Sequence, residues 1–244
     1  MKGTAVVVGA SRGLGLALCS EILRRHKALN LVACARTNSE QLLKLKDESN
    51  GRLRPIQCDV TDATSLKALT DATENVQMLL NVVGVLHSTD SLGVARMPER
   101  SLREVDAAWM AQVYAVNAIG PVLATQALRS RLSKGAVVAN LSARVGSIGD
   151  NKLGGWWSYR MSKSALNQAT RNMAIELKRS EVKVVSLHPG TTDTDLSRPF
   201  QKNVRPEKLF SPEKTAGMLL DVLENLRPED TGGFFDYSGS RIEW

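Results

Sequence analysis

Cysteine is scarce in this chain. Cys19, Cys34 and Cys58 are odd in number and sit in apolar or strand-like surroundings. They form no disulfide framework and have no metal-ligand spacing, so they are expected to be reduced core thiols and no metal is expected. Long apolar runs are also missing. After Met1-Lys2-Gly3-Thr4 the first apolar segment is only five residues long, too short for a signal-peptide core. No stretch approaches the ~20 apolar residues of a membrane span. The expectation is a cytoplasmic protein with no membrane partner. Aromatic residues make up 5% and are not interleaved with the basic ones. The net charge of +7 gathers in Arg24-Arg25-His26-Lys27, Arg129 to Lys134 and Lys178-Arg179. These fall where helices are expected to end, and cations there complement the helix dipole. Without a basic stripe, nucleic-acid binding is not expected.

What is present is ordinary material for a globular core, with 43% hydrophobic and 23% charged residues over 244 positions. Such a chain can form one large domain, 1–244, burying roughly 70–75% of its unfolded surface. The run Thr4 to Val8 is β-branched and is followed by Gly9-Ala10-Ser11-Arg12-Gly13-Leu14-Gly15. Leu14, Ala17, Leu18, Ile22 and Leu23 then recur at helical spacing. Strand, glycine turn and helix in that order suit a nucleotide. Glycines let the backbone approach a pyrophosphate, and the helix N-terminus offers oriented N–H donors.

The alternation continues. Strands are expected at Asn30 to Cys34, Pro55 to Cys58, Met78 to Val83, Ala136 to Leu141, Val182 to Leu187 and Gly233 to Tyr237. Helices are expected from about Ser39, after Asp62, from Ser101 to about Leu132, from about Trp157 to Lys178, and from Pro212 to about Leu226. Ser211-Pro212 is an N-cap followed by proline at the first helical position. Strands rich in Val and Leu without alternation are buried on both faces. This predicts an α/β fold, a single doubly wound Rossmann-type domain with a seven-stranded parallel sheet flanked by helices. The polar, proline-interrupted segment from Thr191 to Phe210 reads as a substrate loop.

Tyr159 and Lys163 lie four apart in one expected helix, so both side chains lie on one face, one turn apart. A phenol that moves protons starts from a pKa of about 10, and an ammonium one turn away favours its ionised form. His188 stands at a strand end but has no acidic partner at a recognisable spacing, and is read as structural. Trp156 and Trp157 either line a substrate mouth or pack the helix start.

With these residues in view, the chain resembles the short-chain dehydrogenase/reductase family along nearly its full length. The elements that carry the resemblance are Gly9-x-x-x-Gly13-x-Gly15, Asp59-Val60, Asn81-Val82-Val83-Gly84, Asn117, Ser142, Tyr159-x-x-x-Lys163 and Pro189-Gly190. Gly154 to Lys163 and the ending Phe234-Phe235-Asp236-Tyr237 resemble the C-factor and sniffer-type carbonyl reductase branch. Val8 and Val82 depart from the family pattern. So does the 17-residue gap from Ser142 to Tyr159, which makes Ser147 an alternative to Ser142.

The resemblance implies an oxidoreductase that interconverts a carbonyl compound and an alcohol by hydride transfer. Tyr159 would be its acid/base and Lys163 would lower the Tyr159 pKa and hold the nicotinamide ribose. Ser142 would donate to the substrate oxygen, and Asn117 would open its helix and hold a water leading to Lys163. Cofactor contacts are implied from Gly9, Ser11, Arg12, Gly13, Leu14, Gly15, Arg36, Asp59, Val60, Asn81, Val83, Gly84, Tyr159, Lys163, Pro189, Gly190, Thr192 and Thr194. Ala35 stands where an acidic residue would select NAD, and Arg36 follows it. With Arg12 in the glycine turn, two guanidinium groups suit the 2′-phosphate of NADP(H). The helices expected from Ser101 to about Leu132 and from about Trp157 to Lys178 carry apolar or small residues over more than one face, including Ala107, Ala108, Ala111, Ala115, Ala165, Leu166, Ala169 and Met173. Burial on more than one side is therefore expected, and the resemblance implies pairing across a two-fold axis in a homodimer or homotetramer. The alternative to an enzyme is a nucleotide-binding signalling or regulatory protein on the same fold.

Overall fold

The computed structural model describes residues 3–89 and 95–244. Its centre is β1, Thr4–Val8, buried along its whole length. Ala5 and Val7 face one core while Val6 and Val8 face the other. A strand this apolar on both faces needs helices on both sides. The remaining strands are β2 (Asn30–Ala35), β3 (Leu53–Gln57), β4 (Val76–Asn81), β5 (Leu132–Leu141), β6 (Lys183–His188) and β7 (Phe234–Asp236). They lie in the order β7-β6-β5-β4-β1-β2-β3, and every pair is parallel. The order reverses between β1 and β4, which opens a crevice beyond their carboxyl ends.

Helices α1 (Gly13–Arg25), α2 (Glu40–Glu48) and α7 (Pro212–Glu224) cover one face. Leu18 and Ile22 of α1, Leu42 of α2 and Leu219 and Leu220 of α7 fill its core. Helices α3 (Ala63–Asp71), α5 (Gly120–Leu128) and α6 (Trp157–Glu176) cover the other face through Leu66, Leu69, Ala124, Leu128 and Ala174. Side-chain caps start α2, α3 and α7. Ser39, Asp62 and Ser211 accept from the backbone N–H groups of Leu42, Ser65 and Lys214, which satisfies donors a helix start leaves free.

The helix expected from Ser101 to Leu132 is not continuous. It comprises a short 3-10 turn at Leu102–Glu104, α4 (Ala107–Tyr114), a π turn at Ala115–Ile119, α5, and a 3-10 turn at Arg129–Arg131. Strand β5 then begins at Leu132 rather than Ala136. Its polar start, Leu132-Ser133-Lys134-Gly135, lies at the sheet end and lacks the apolar pattern by which strands were recognised. A second correction concerns membranes. The helical run Ala107–Arg131 is long and apolar enough to cross one by length and composition. In this fold it turns Trp109, Val113, Ala124 and Leu128 into the protein.

The segment expected as a substrate loop has structure of its own. Thr191–Thr192 pairs in parallel with Leu209–Phe210, and 3-10 turns run over Arg198–Asn203 and Pro206–Lys208. The loop is therefore closed at its base by a short ladder.

Candidate active site

The crevice is built from the glycine turn outward. A Cβ at Gly15 would stand 1.9 Å from the Gly9 carbonyl oxygen, so α1 approaches the end of β1 only because position 15 is glycine. Ser39 Oγ donates to the Ser11 carbonyl at 2.5 Å, tying the start of α2, and the loop bearing Arg36, to the glycine turn. Leu14 faces the core, which leaves its backbone amide as the group available to a ligand. Arg36 is exposed and contributes to holding the Asp59 carboxyl below its usual range, after the hydrogen bonds Asp59 accepts from Thr61. Arg12 is exposed and pairs with Asp195 at 3.2 Å. The glycine turn and the 191–210 segment are thus joined by an ion pair.

The other side of the crevice carries the proton-handling residues. Tyr159 and Lys163 lie on the first turns of α6, and both are buried. Lys163 Nζ donates to the Leu141 carbonyl at 2.7 Å and stands 5.7 Å from the centre of the Tyr159 ring. Burial lowers the Lys163 ammonium from 10.5 to about 7, because a charge in apolar surroundings loses its hydration. The same burial raises the Tyr159 phenol above its ordinary value. Desolvation by burial acts on both groups and accounts for both shifts, and the depression of Tyr159 expected from its neighbour is not seen.

Ser142 follows Leu141 at the end of β5. Its hydroxyl is buried and has no partner among the described residues, whereas its N–H donates to the Leu187 carbonyl. Ser147, the alternative, has its hydroxyl engaged by the Asp150 N–H at 3.1 Å. An orphaned buried hydroxyl calls for a ligand, so the geometry favours Ser142.

Asn117 lies in the π turn and is fully buried. Its Oδ1 accepts from the Val85 N–H at 2.7 Å, while Nδ2 donates to the Val85 carbonyl at 2.9 Å and to Ser162 Oγ at 3.0 Å. The helix is opened at this point, as expected. The side chain is fully engaged in bracing the strand-end loop against α6. A Cβ at Gly84 would lie 3.7 Å from Lys163 Nζ and 3.8 Å from Asn117 Oδ1. These three residues therefore meet at one point.

Asn81 ties neighbouring elements together. Its Nδ2 donates to Asn140 Oδ1 at 2.8 Å and to Thr125 Oγ1 at 3.2 Å, which locks β4 to β5 and α5, while its Oδ1 is buried with no partner among the described residues. Val60 packs against Gly120, Val83 lies beside Gly9, and Thr194 lies over Gly13. The Thr192 hydroxyl bonds Thr215, and its carbonyl accepts from Ser197 Oγ at 2.5 Å. Pro189 follows β6, and Gly190 sits against Phe210 and Tyr237. Burial and the Arg144 charge hold His188 down to about 4, so it stays neutral at neutral pH, in line with a structural reading.

An aromatic wall closes the mouth. Trp156 packs against Phe200 with tilted rings at 4.8 Å and meets Tyr159 edge-on at 6.2 Å, and His87 lies tilted to Phe200 at 6.1 Å. Trp156 thus lines the mouth, while Phe200 and His87 were missed in the sequence. Only the fold brings these three segments together.

Fold and crevice define a Rossmann-type dinucleotide-binding protein with a buried tyrosine–lysine pair. The chain belongs to the short chain dehydrogenase family, whose profile matches residues 3–205. It is 38% identical over 171 residues to the C-signal of Myxococcus xanthus, covering 69% of this chain and 93% of that one. The crystal structure of NADPH-bound carbonyl reductase from chicken fatty liver superposes with a TM-score of 0.85 at 26% identity, over 100% of this chain and 99% of that one. Carbonyl reductase Sniffer of D. melanogaster gives 0.84 at 24% identity over 100% of both chains, a likeness of fold. The C-signal relative carries the narrower resemblance, to the C-factor branch, at the level of sequence.

Proposed function

We propose that this protein is an NADP(H)-dependent carbonyl reductase, interconverting a carbonyl compound and an alcohol. The observation that carries the reading is the buried Tyr159–Lys163 pair beside the partnerless hydroxyl of Ser142. Bound in the crevice, the nicotinamide supplies the hydride. Ser142 donates a hydrogen bond to the substrate oxygen, and Tyr159 gives that oxygen its proton. A phenol raised by burial keeps its proton through neutral pH, which is the form reduction requires. Lys163 supports the tyrosine and holds the nicotinamide ribose. The glycine turn with the N-terminus of α1 suits the pyrophosphate. The test is a panel of ketones, aldehydes and quinones assayed for NADPH oxidation; no turnover across the panel would sink the reading.

For the cofactor, the support is the exposed Arg36 after β2, with no ion pair among the described residues, and Arg12 in the glycine turn. Arg36→Asp is expected to weaken NADPH binding by about 10-fold or more, the loss of one charge-assisted contact, and to narrow or reverse the preference over NADH. Equal or tighter binding of NADH by the unmutated protein overturns this assignment.

The protein is also proposed to act in the cytoplasm and to self-associate. Ala107, Ala108 and Ala111 of α4, Ile119 of the π turn and Met161 of α6 are exposed, leaving an apolar second face on these helices. Light scattering at micromolar concentration should give at least twice the chain mass, and a monomeric mass counts against it. The likeness to C-signal favours one further reading, a signalling protein that binds nucleotide without turnover. Loss of turnover in Tyr159→Phe separates the two.

A further inference from the structure

Glu99 is a carboxylate buried to 3% exposure with no cationic partner within ion-pair distance among the described residues. It lies far from Tyr159 in sequence, between the short antiparallel pair Ser88–Thr89/Ala95–Arg96 and the 3-10 turn Leu102–Glu104. In space it occupies the N-terminus of the helix that carries Tyr159 and Lys163. Glu99 Oε2 accepts from the Ser158 N–H at 3.1 Å, and Oε1 accepts from the Ser158 hydroxyl. The Glu99 carbonyl accepts from the Trp156 N–H at 2.5 Å. Three contacts from one residue thus meet the first turn of α6.

That turn needs a clamp from outside. Helix α6 is started by Trp156, whose side chain caps nothing. Gly154, Gly155 and Trp156 all take left-handed backbone, with φ of 64°, 64° and 50°. For tryptophan this conformation is unfavourable unless the surroundings hold it. A buried negative charge at the helix start also complements the dipole there. The next residue after Ser158 is Tyr159, and the Trp156 ring forms part of the aromatic mouth against Phe200.

We infer that Glu99 is a positioning residue: its carboxylate substitutes for the missing N-cap of α6 and thereby fixes the Tyr159 phenol and the Trp156 wall relative to the substrate crevice. The inference rests on the reading of Tyr159 as the proton donor in carbonyl reduction, and adds to it a residue that touches neither substrate nor cofactor. Without the carboxylate, the left-handed entry is free to relax and the phenol to drift. A misplacement of about 1 Å in an active site lowers rate by about 10²-fold.

The experiment compares Glu99→Ala, Glu99→Gln and Ser158→Ala with the unmutated full chain. It uses steady-state turnover of the best carbonyl in the panel, direct NADPH binding, and amide hydrogen exchange. Glu99→Ala should lower kcat about 10- to 100-fold, leave NADPH binding within about threefold, and speed exchange at residues 156–158 while the later turns of α6 stay protected. Glu99→Gln should recover most of kcat, because its amide oxygen accepts from the Ser158 N–H and its NH₂ donates to the Ser158 hydroxyl. Unchanged exchange at residues 156–158 in Glu99→Ala, or a kcat that falls only with the folded fraction, overturns the inference. If Glu99→Ala does not fold, Ser158→Ala decides. Faster exchange at the helix start with a several-fold lower kcat supports positioning, and wild-type values in both overturn it. Exchange needs no turnover. If no carbonyl is reduced at all, the enzymatic reading falls, while the exchange data alone still decide whether Glu99 holds the helix.

Discussion

Tyr159→Phe should abolish most carbonyl reduction while leaving the protein folded and able to bind NADPH. The phenolic oxygen makes no hydrogen bond among the described residues, so its removal orphans no internal partner. The ring itself stays anchored, edge-on to Trp156 and one helical turn from Lys163. What disappears is the group that delivers a proton to the substrate oxygen. General acid–base groups contribute roughly 10²–10⁴-fold, and kcat should fall by that much. The KM for the carbonyl should change little, since Ser142 and the aromatic mouth remain. The measurement is initial-rate kinetics beside a fluorescence titration with NADPH. An unchanged rate with cofactor bound would falsify the mechanism and favour the nucleotide-binding signalling reading. A lost rate with lost NADPH binding would instead mean that Tyr159 serves mainly to seat the cofactor.

How much of this site the sequence could reveal differs from residue to residue, for physical reasons. The strands were legible because a parallel strand covered on both faces is a continuous apolar run, as in Thr4–Val8. The glycine turn was legible because its spacing between strand and helix follows from steric contact, here that of Gly15 with the Gly9 carbonyl. Asn117 was marked only by the family resemblance. Its partners, the Val85 backbone and Ser162, are distant in sequence and had to be seen. Strand β5 extends four residues ahead of its apolar pattern, because Leu132 to Gly135 carries no apolar signal. The bracing role of Asn81 was hidden for a related reason. Motif position places a residue at a strand end, but pairing with Asn140 across neighbouring strands decides which way its amide points. Glu99 left no signal at all, being one glutamate in a polar stretch between Pro98 and Arg100. Nor could spacing rank the electrostatics of Tyr159 and Lys163. Helical geometry gives proximity, whereas the sign of the net shift depends on how much water the fold excludes.

That exclusion leads to the second large effect, in which loss of activity comes with a gain of stability. Lys163 titrates at about 7 in the folded chain against 10.5 as its ordinary value. A lysine whose folded pKa is depressed destabilises the fold wherever the unfolded chain would hold the proton. The destabilisation is fully present below about pH 7, declines as pH rises through the window up to about 10.5, and is absent above it. Each unit corresponds to 1.36 kcal/mol, so at pH 7 the burden is on the order of 4 kcal/mol. Lys163→Met keeps the length and apolar stem and removes the charge. It also leaves the Leu141 carbonyl without its donor, a loss of about 1 kcal/mol. The net expectation for the cofactor-free protein at pH 7 is a gain of about 3 kcal/mol, or roughly 6–12 °C in Tm for a chain of this size. The gain should shrink steadily toward pH 10, because the wild type becomes more stable over that range and the variant does not. Turnover should fall by at least about 10²-fold, and NADPH should bind more weakly because the ribose loses its ammonium partner. Thermal melts of both proteins from pH 6 to about pH 10, without and with NADPH, check every part. A Lys163→Met protein less stable than wild type at pH 7 would show that the ammonium is well solvated or paired in the folded chain, contrary to its burial. A stability difference independent of pH would show that the gain comes from packing and not from the proton.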